Sequence, residues 1–203
     1  MIKAIFFDFD GVLTTDPNGF YTTSSFFNKK FGISIDSFSR CYSIHTKDFD
    51  TEPKSFDGVW GDLSSCLGCD IDIKYLHEAF MSAPKNDKMF DLANNLKGKY
   101  KLGIITDNKK DRFEMLIKKF ELNNLFESLI LSADVGAEKN DRLIFDKALE
   151  SFGVTAEESI FIDNTQKNID VAKILGFKTI FFDDKINNVD KLKKQLVDLG
   201  ANI

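Results

Sequence analysis

A short apolar run near the N-terminus leads directly into two aspartates and a glycine. Residues 4–7 are Ala-Ile-Phe-Phe, and Asp8, Phe9, Asp10 and Gly11 follow at once. An apolar run without alternation, bounded by a glycine, predicts a strand buried on both faces of a parallel sheet. Open parallel sheets place their ligands outside the carboxyl ends of the strands. Two carboxylates held close together repel each other, which favours a bound cation or a role as an acid and base pair. The alternative interpretation is a solvated strand end with two ordinary acids.

The rest of the chain alternates between strand and helix patterns. Four further runs are short and rich in apolar, β-branched or aromatic residues, at 101–106, 128–131, 159–162 and 178–182. Each is followed by polar residues and a helical pattern, which predicts βα units and a parallel sheet of five strands. The polar residues at the strand exits are Thr106-Asp107-Asn108, Asp134, Asp163-Asn164 and Asp183-Asp184. We therefore expect hydroxyl, amide and carboxylate groups to gather at one edge of the sheet, where Lys139 can join them.

Residues 15–84 differ from the remainder because their periodicity is helical throughout. The predicted helices run from Thr22 or Thr23 to Phe31, from Ser34 or Asp36 to about His45, from Asp57 or Gly58 to Leu67, and from Asp72 to Ser82. Hinges are expected at 17–19 and 83–85. The predicted organisation is thus an α/β core of residues 1–14 and 85–203, with a helical cap of residues 15–84. Inserts of this kind commonly select the substrate.

Composition excludes several classes of protein. The chain has 203 residues, 43% of them hydrophobic, which suffices for one full core and a modest additional module. Its formal net charge is −5 with dispersed basic residues, so no nucleic-acid partner is expected. No apolar stretch approaches the roughly 20 residues that span a bilayer, so no membrane partner is expected. A cytoplasmic location is predicted, and the oligomeric state is left open.

Three cysteines form an odd set without the pattern of a disulfide-stabilised secreted domain. The roles of Cys41, His45, Cys66 and Cys69 are left open by the sequence. Cys41 and His45 would share a helical face, and Cys66 and Cys69 have the CxxC spacing of zinc sites. A structural zinc site is one interpretation of these four residues. The other is that the cysteines pack as small hydrophobic residues near a helix end.

Four motifs occur in the order and spacing of one family. The first is 7–13, Phe-Asp-Phe-Asp-Gly-Val-Leu, and the second is 104–107, Ile-Ile-Thr-Asp. The third is Lys139 at the end of Gly-Ala-Glu-Lys, and the fourth is 161–164, Phe-Ile-Asp-Asn. On these residues the chain resembles a haloacid dehalogenase-like hydrolase. The resemblance implies an α/β fold with a Rossmann-like parallel sheet of about five strands, helices on both faces, and a small all-helical cap.

The resemblance further implies a magnesium-dependent phosphatase. Asp8 would be the nucleophile that forms an aspartyl phosphate, and Asp10 would serve as general acid and then general base. Mg²⁺ would be held by Asp8, by the backbone carbonyl of Asp10 and by Asp163, which offer the hard oxygen ligands it prefers. The expected substrate is a small phosphorylated metabolite such as a sugar phosphate, because a short cap cannot enclose a bulky one.

The second and third motifs would bind the phosphate. Thr106 supplies a hydroxyl, Asp107 and the residues after it supply backbone amides at a helix start, and Lys139 supplies an ammonium group. Taken singly, Thr106 could merely cap the next helix and Lys139 could be a solvated charge. Asn164 is expected outside the ligand set, where it would hold a metal-bound water or orient Asp163.

Three residues depart from the family pattern. Asn140 follows Lys139 where proline is common, Asn164 replaces a frequent aspartate, and Asp107 stands where asparagine is common. The first departure leaves the position of Lys139 less fixed by the chain itself. The second makes the metal site one charge less acidic.

Three other functions are compatible with parts of this pattern. A sugar phosphomutase of the same family would use the same acids, but such members usually carry histidine and arginine soon after the first motif, and residues 14–25 contain neither. A dehalogenase would need neither Asp10 nor Asp163. A non-enzymatic ligand-binding or interaction module is possible because a fold does not fix a function.

Overall fold

The computed structural model describes residues 1–203, and its centre is one parallel sheet of five strands. The strands are β1 (Ala4–Phe7), β2 (Lys101–Thr106), β3 (Ser128–Leu131), β4 (Ser159–Asp163) and β5 (Lys178–Phe181). Their order across the sheet is β3-β2-β1-β4-β5, and all four pairings are parallel. The N-terminal strand therefore occupies the middle of the sheet. The predicted α/β fold with five parallel strands is confirmed.

Ten helices surround or extend from the sheet. They are α1 (Phe20–Phe31), α2 (Ile35–His45), α3 (Trp60–Cys66), α4 (Lys74–Met81), α5 (Asp87–Leu96), α6 (Lys110–Phe120), α7 (Ser132–Val135), α8 (Arg142–Phe152), α9 (Gln166–Ile174) and α10 (Val189–Asp198). The first four lie in residues 15–84, close to the four helices predicted there. Below, residues 15–84 are called the helical segment.

The lack of alternation in β1 has a simple cause, since both faces of the sheet are covered. Ile5 and Phe7 belong to an apolar cluster of 29 buried residues, to which α5, α6 and α10 contribute. Ala4 and Phe6 belong to a second cluster of 12 buried residues, which includes residues of α8 and α9. All four residues of β1 are fully buried. The sheet is thus a middle layer between two layers of helices.

The helical segment has an apolar cluster of its own. Twelve buried residues form it, and they are largely aromatic. Phe27 of α1 stacks on Phe38 of α2 with ring centroids 4.7 Å apart, and Phe56 contacts Phe80 of α4 at 5.4 Å. Trp60 donates its indole N–H to the carbonyl of Ile71 at 2.6 Å. The polar group of Trp60 is therefore satisfied inside this cluster.

The chain enters and leaves the helical segment at adjacent points. Thr14 and Lys85 form an isolated antiparallel bridge, and the Thr15 amide donates to the Pro84 carbonyl at 3.1 Å. Asp16 receives hydrogen bonds from the amides of Asn18, Gly19 and Thr22, which fix the turn that leads into α1. The segment then returns to pack α4 against α6. None of the helices is both long and apolar enough to cross a membrane.

Two of the three cysteines pair in a way that the sequence did not indicate. Cys41 of α2 and Cys66 at the end of α3 form a disulfide, with their Cα atoms 5.8 Å apart, while Cys69 is an exposed free thiol. Packing of α2 against α3 brings two residues 25 positions apart into bonding range, which their sequence spacing does not show. No group of three or more His, Cys, Asp or Glu residues is placed to hold a metal, so the zinc interpretation fails.

Candidate active site

The carboxyl ends of three adjacent strands bring the predicted residues together. Asp8 follows β1, Thr106 ends β2 and Asp163 ends β4, and β1 lies between the other two. Lys139 reaches the same place from the loop before α8. These side chains are almost completely buried, with 6% exposure for Asp8, 1% for Thr106, 2% for Lys139 and none for Asp163. Such burial of charged groups is rare unless they are paired.

Lys139 lies between two carboxylates. Its Nζ is 2.6 Å from Asp8 Oδ1 and 2.7 Å from Asp163 Oδ2. Burial alone would lower the pKa of Lys139, but the negative charges of Asp8, Asp163 and Asp107 outweigh it and raise the pKa well above its ordinary value. Lys139 is therefore a fixed positive charge. The solvated-loop interpretation of this residue does not describe its environment.

The Asp8 carboxylate has one committed oxygen and one free oxygen. Oδ1 accepts the Phe9 amide at 2.7 Å and contacts the Lys139 ammonium, whereas no hydrogen bond in the chain ends on Oδ2. Burial, and next the charge of Asp163, raise the pKa of Asp8 above its ordinary value, and Lys139 opposes them. Burial is the largest cause of this shift, and the surplus of negative charge from Asp163 and Asp107 adds to it. A cation bound beside Asp8 would offset that surplus.

The donor set at this edge fits Mg²⁺. Asp8 Oδ2 is without a partner, Asp163 presents a second carboxylate, and the backbone carbonyl of Asp10 lies in the turn directly after Asp8. Three carboxylates, those of Asp8, Asp107 and Asp163, face only the one ammonium group of Lys139. Mg²⁺ usually takes one or two carboxylates and fills its octahedron with water and phosphate oxygens. Asp8 and Asp163 would supply those carboxylates.

The Asp10 carboxylate is held by four donors. Arg112 of α6 forms a bidentate pair with it, Nη1 to Oδ2 at 2.6 Å and Nη2 to Oδ1 at 2.9 Å. Asn108 Nδ2 donates to Oδ2 at 2.9 Å, and Thr14 Oγ1 donates to Oδ1 at 3.2 Å. Charge-assisted bidentate pairs fix geometry as well as contribute energy. The orientation of Asp10 is thus set by groups from three parts of the chain.

Sequence reasoning missed Arg112. It lies one helical turn after Asn108, and its Nη1 also donates to Asn108 Oδ1 at 2.9 Å. That spacing after the second motif is the only signal in the sequence that pointed to it. The guanidinium occupies the space that a Cβ at Gly19 would need, since the nearest atoms of Arg112 would be 2.4–2.7 Å away. Gly19 has φ +71°, so a side chain there would meet both backbone strain and this clash.

Asp107 holds the loop that carries Lys139. Its Oδ1 accepts the backbone amide of Lys139 at 2.9 Å. Burial raises the pKa of Asp107 to about 6, although the nearby Lys139 works in the opposite direction. This hydrogen bond supplies a constraint on Lys139 that does not require proline at position 140. The carboxylate of Asp107 is therefore engaged with the chain, while its backbone lies at the start of the turn that leads to α6.

Asn168, and not Asn164, forms a hydrogen bond with the Asp163 carboxylate. Asn168 Nδ2 donates to Asp163 Oδ2 at 3.1 Å, so Asn168 is the amide that orients the carboxylate. Asn164 Nδ2 instead donates to the Pro17 carbonyl at 3.1 Å. The Asn164 amide also fills the space where Gly11, at φ +79°, would carry a Cβ, which would be 2.0 Å from Nδ2. Asn164 thereby links the loop after β4 to the start of the helical segment.

A small cavity of about 60 Å³ lies between this edge and the helical segment. On the core side it is lined by Asp107, Asn108, Lys109 and Arg112, and on the other side by Asn18, Gly19, Phe20, Tyr42 and Asp50. Lys109 Nζ contacts both oxygens of Asp50, at 2.9 and 2.8 Å. Asp111 Oδ2 accepts from Ser55 Oγ and the Phe56 amide, at 2.9 and 2.7 Å. The start of α6 is thus bonded to the helical segment beside the cavity.

Comparison with known proteins identifies the family. The family model described as haloacid dehalogenase-like hydrolase matches residues 5–182. The chain belongs to this family of hydrolases.

Known structures share the fold over nearly the whole chain. A predicted hydrolase of the same family from Porphyromonas gingivalis superposes with a TM-score of 0.78 at 21% identity, covering 97% of this chain and 98% of that one. A family member from Bacteroides thetaiotaomicron, in complex with magnesium and inorganic phosphate, has a TM-score of 0.73 at 20% identity, with 89% and 94% covered.

Curated relatives match over a shorter segment. Glyceraldehyde 3-phosphate phosphatase from Pyrococcus abyssi is 38% identical over 84 residues, which are 41% of this chain and 35% of that protein. A pyrimidine 5'-nucleotidase from Escherichia coli is 32% identical over 83 residues, 38% of this chain and 37% of the relative. The match thus spans little more than a third of each relative's length.

Proposed function

We propose that this chain is a magnesium-dependent phosphatase that hydrolyses a small phosphomonoester through an aspartyl phosphate on Asp8. One observation carries the proposal: Asp8 is buried beside Lys139 and Asp163 and yet keeps Oδ2 free of hydrogen bonds. A carboxylate held by one oxygen and open at the other is prepared for nucleophilic attack. The free oxygen lies at the edge of the sheet where this fold binds ligands.

The reaction would proceed in two displacements. In the first, Asp8 Oδ2 forms a bond to phosphorus, the ester P–O bond breaks, and the leaving alkoxide takes a proton from Asp10. In the second, water attacks the same phosphorus, gives a proton to Asp10 and releases inorganic phosphate, which restores the Asp8 carboxylate. The four donors fix the orientation of Asp10, and Asn108 or Thr14 would have to give up its hydrogen bond when Asp10 carries the proton.

The remaining residues would bind and orient the phosphate. Lys139 contributes a permanent positive charge, and Thr106 contributes a hydroxyl at the end of β2. Asp107 acts through its hydrogen bond to the Lys139 amide. Asp8, Asp163 and the Asp10 carbonyl would hold Mg²⁺, which when bound would neutralise charge on the phosphate. The complex of the Bacteroides thetaiotaomicron relative with magnesium and inorganic phosphate supports the proposal that these two groups bind here.

The helical segment would be a cap domain over this site, with residues 1–14 and 85–203 as the core. Its separate apolar cluster and its single point of entry and exit support that division. The cavity below it has room for about four to six groups the size of a water molecule. That size favours a small metabolite such as a sugar phosphate as the substrate. We place the enzyme in the cytoplasm as part of the same proposal. The name of the Pyrococcus abyssi relative, a glyceraldehyde 3-phosphate phosphatase, agrees with a substrate of this size.

The test is phosphate release from a panel of aryl and sugar phosphates, with Mg²⁺ or with a chelator. Wild-type protein should release phosphate only with Mg²⁺, and Asp8→Asn should release none while keeping the same circular dichroism spectrum. Asp198→Asn is the matched control, because Asp198 is exposed and lies at the far end of α10. Turnover by Asp8→Asn would contradict the covalent mechanism. Silence of the folded wild type across the panel would contradict the phosphatase and favour a phosphomutase or a binding module.

A further inference from the structure

The cavity beside Asp10 contains two cations, and both are already neutralised by the chain. Lys109 is paired with both oxygens of Asp50, and Arg112 is paired with both oxygens of Asp10. Asp107 adds a further carboxylate to the lining. Two carboxylates, Asp50 and Asp107, thus line the cavity, and neither of its cations is free to pair with a ligand. A ligand with its own carboxylate would have to displace one of these pairs or remain beside them without a partner.

The cavity does offer groups that suit hydroxyls. Tyr42 lines it with only 9% exposure, and its phenolic oxygen takes part in no hydrogen bond within the chain. Burial raises the pKa of Tyr42 above its ordinary value, so the group stays a neutral O–H that can both donate and accept. The amide of Asn18 lies on the same lining. These are partners for an uncharged polar ligand.

We infer that the cavity accepts the uncharged, hydroxyl-bearing remainder of a small phosphomonoester and rejects a remainder with a carboxylate, and that Asp50 sets this preference. The inference rests on the proposed phosphatase function and names the substrate class of the same site. Like charges that meet without compensation discriminate strongly against the wrong ligand. Asp50 is the carboxylate to test, because Asp10 belongs to the reaction and Asp107 holds Lys139.

Lys109 places Asp50 at this position. Its Nζ is also 5.5 Å from the centroid of the Tyr42 ring, so the cation has an aromatic neighbour as well as the carboxylate of Asp50. Asp50 belongs to the loop between α2 and α3, whereas Lys109 directly precedes α6 in the core. The ion pair therefore joins the two sides of the cavity. Removal of the Asp50 charge would free Lys109 to bind an anionic ligand.

The experiment compares two esters that differ at one carbon. Glycerol 3-phosphate ends in CH₂OH, whereas 3-phosphoglycerate ends in a carboxylate. The wild type should favour the glycerol ester in kcat/KM by about tenfold or more, which corresponds to about 1.4 kcal/mol. Asp50→Asn should shift the ratio about tenfold toward the phospho-acid, mainly through KM. Lys109→Met, which leaves Asp50 without a cation, should shift the ratio the other way.

Two controls separate the possible failures. Asp70→Asn removes a charge from an exposed loop residue of the helical segment and should leave the ratio unchanged. Hydrolysis of p-nitrophenyl phosphate by every variant verifies folding and chemistry independently of the cavity. If the wild type releases phosphate from none of the three esters, the proposed function fails and this inference with it. If turnover occurs but neither Asp50→Asn nor Lys109→Met moves the ratio, only this inference is overturned.

Discussion

Asp107 is the residue at which the site's buried charge has the clearest thermodynamic consequence. Burial raises its pKa from 3.8 to about 6. A raised pKa means that the folded state binds the proton more tightly than the unfolded state, so the folded state loses relative stability as the pH rises from about 4 through 6. Each unit corresponds to about 1.4 kcal/mol, which gives a loss of roughly 1–3 kcal/mol above pH 6.

Asp107→Asn should remove this loss. Asparagine has no charge to desolvate, and its carbonyl oxygen can still accept the Lys139 amide. The free energy of unfolding of the variant minus that of the wild type should therefore rise by about 1–3 kcal/mol between pH 4 and pH 7. Urea unfolding in the presence of a chelator measures the difference at each pH. For Asp70→Asn, the difference in free energy of unfolding from the wild type should stay constant over this pH range. A constant difference for Asp107→Asn as well would show that burial does not raise the pKa of Asp107.

Residues at strand ends could be predicted, and residues that depend on helix orientation could not. Asp8, Thr106 and Asp163 lie at one edge because parallel strands end there, which follows from the alternation of strand and helix patterns. Their closeness also depends on the strand order, which that alternation does not predict. Arg112 and Asp50 have no such pattern. Their positions depend on how α6 is rotated and on where a loop of the helical segment crosses the edge. Those features arise from packing between residues about 60–100 positions apart.

The elements themselves were largely predictable because their ends carry local signals. Ser34 caps α2 by accepting the Ser37 amide, and Asp141 caps α8 by accepting the Leu143 amide. Gly32 ends α1 in a left-handed conformation, as the sequence indicated. The cysteine pairing between α2 and α3 lacked any comparable signal. The pairing follows from the way two predicted helices pack against each other. The periodicity of a helix in the sequence does not predict its orientation relative to another helix.

The Cys41–Cys66 disulfide should stabilise the helical segment measurably. It closes a loop with a sequence separation of 25 residues. In the chain-entropy model, a disulfide that closes a loop of that length restricts the unfolded chain and raises the free energy of unfolding by about 3 kcal/mol. Reduction with dithiothreitol should therefore lower the melting temperature of the wild type by several degrees.

The comparison variants isolate this bond from the third cysteine. Cys41→Ser should melt at the reduced wild-type temperature with or without dithiothreitol, and Cys69→Ser should behave like the wild type. An identical melting temperature for oxidised and reduced wild type would mean that the disulfide contributes no stability. A disulfide is typical of oxidising environments, so the redox state of these cysteines in cells also tests the cytoplasmic prediction.

For the whole molecule, the two-part organisation predicts that the core folds without the helical segment. Thr15 and Pro84 are hydrogen-bonded neighbours, so two glycines can replace residues 16–82 without stretching the chain. The two clusters around the sheet contain no residue from that interval. The shortened protein should unfold cooperatively, with a lower melting temperature because Met115 of α6 loses its neighbours in the helical segment.

Circular dichroism and calorimetry of the shortened protein would check this expectation. Its catalytic residues remain, so slow hydrolysis of p-nitrophenyl phosphate should persist. Discrimination between glycerol 3-phosphate and 3-phosphoglycerate should disappear along with Asp50 and Tyr42. A shortened chain without a cooperative transition would show that the two parts fold as one unit.

The central place of β1 also determines when the protein can become active during its synthesis. Ile5 pairs with Leu102 on one side and with Ile160 on the other. At about 5–20 residues per second, the ribosome delivers these partners on the order of ten seconds after β1 itself. Until then two adjacent phenylalanines of the nascent chain have no sheet to enter and are available to chaperones or to other chains. Asp163 arrives with the last of these partners, so the nucleophile is made early and its site is completed late.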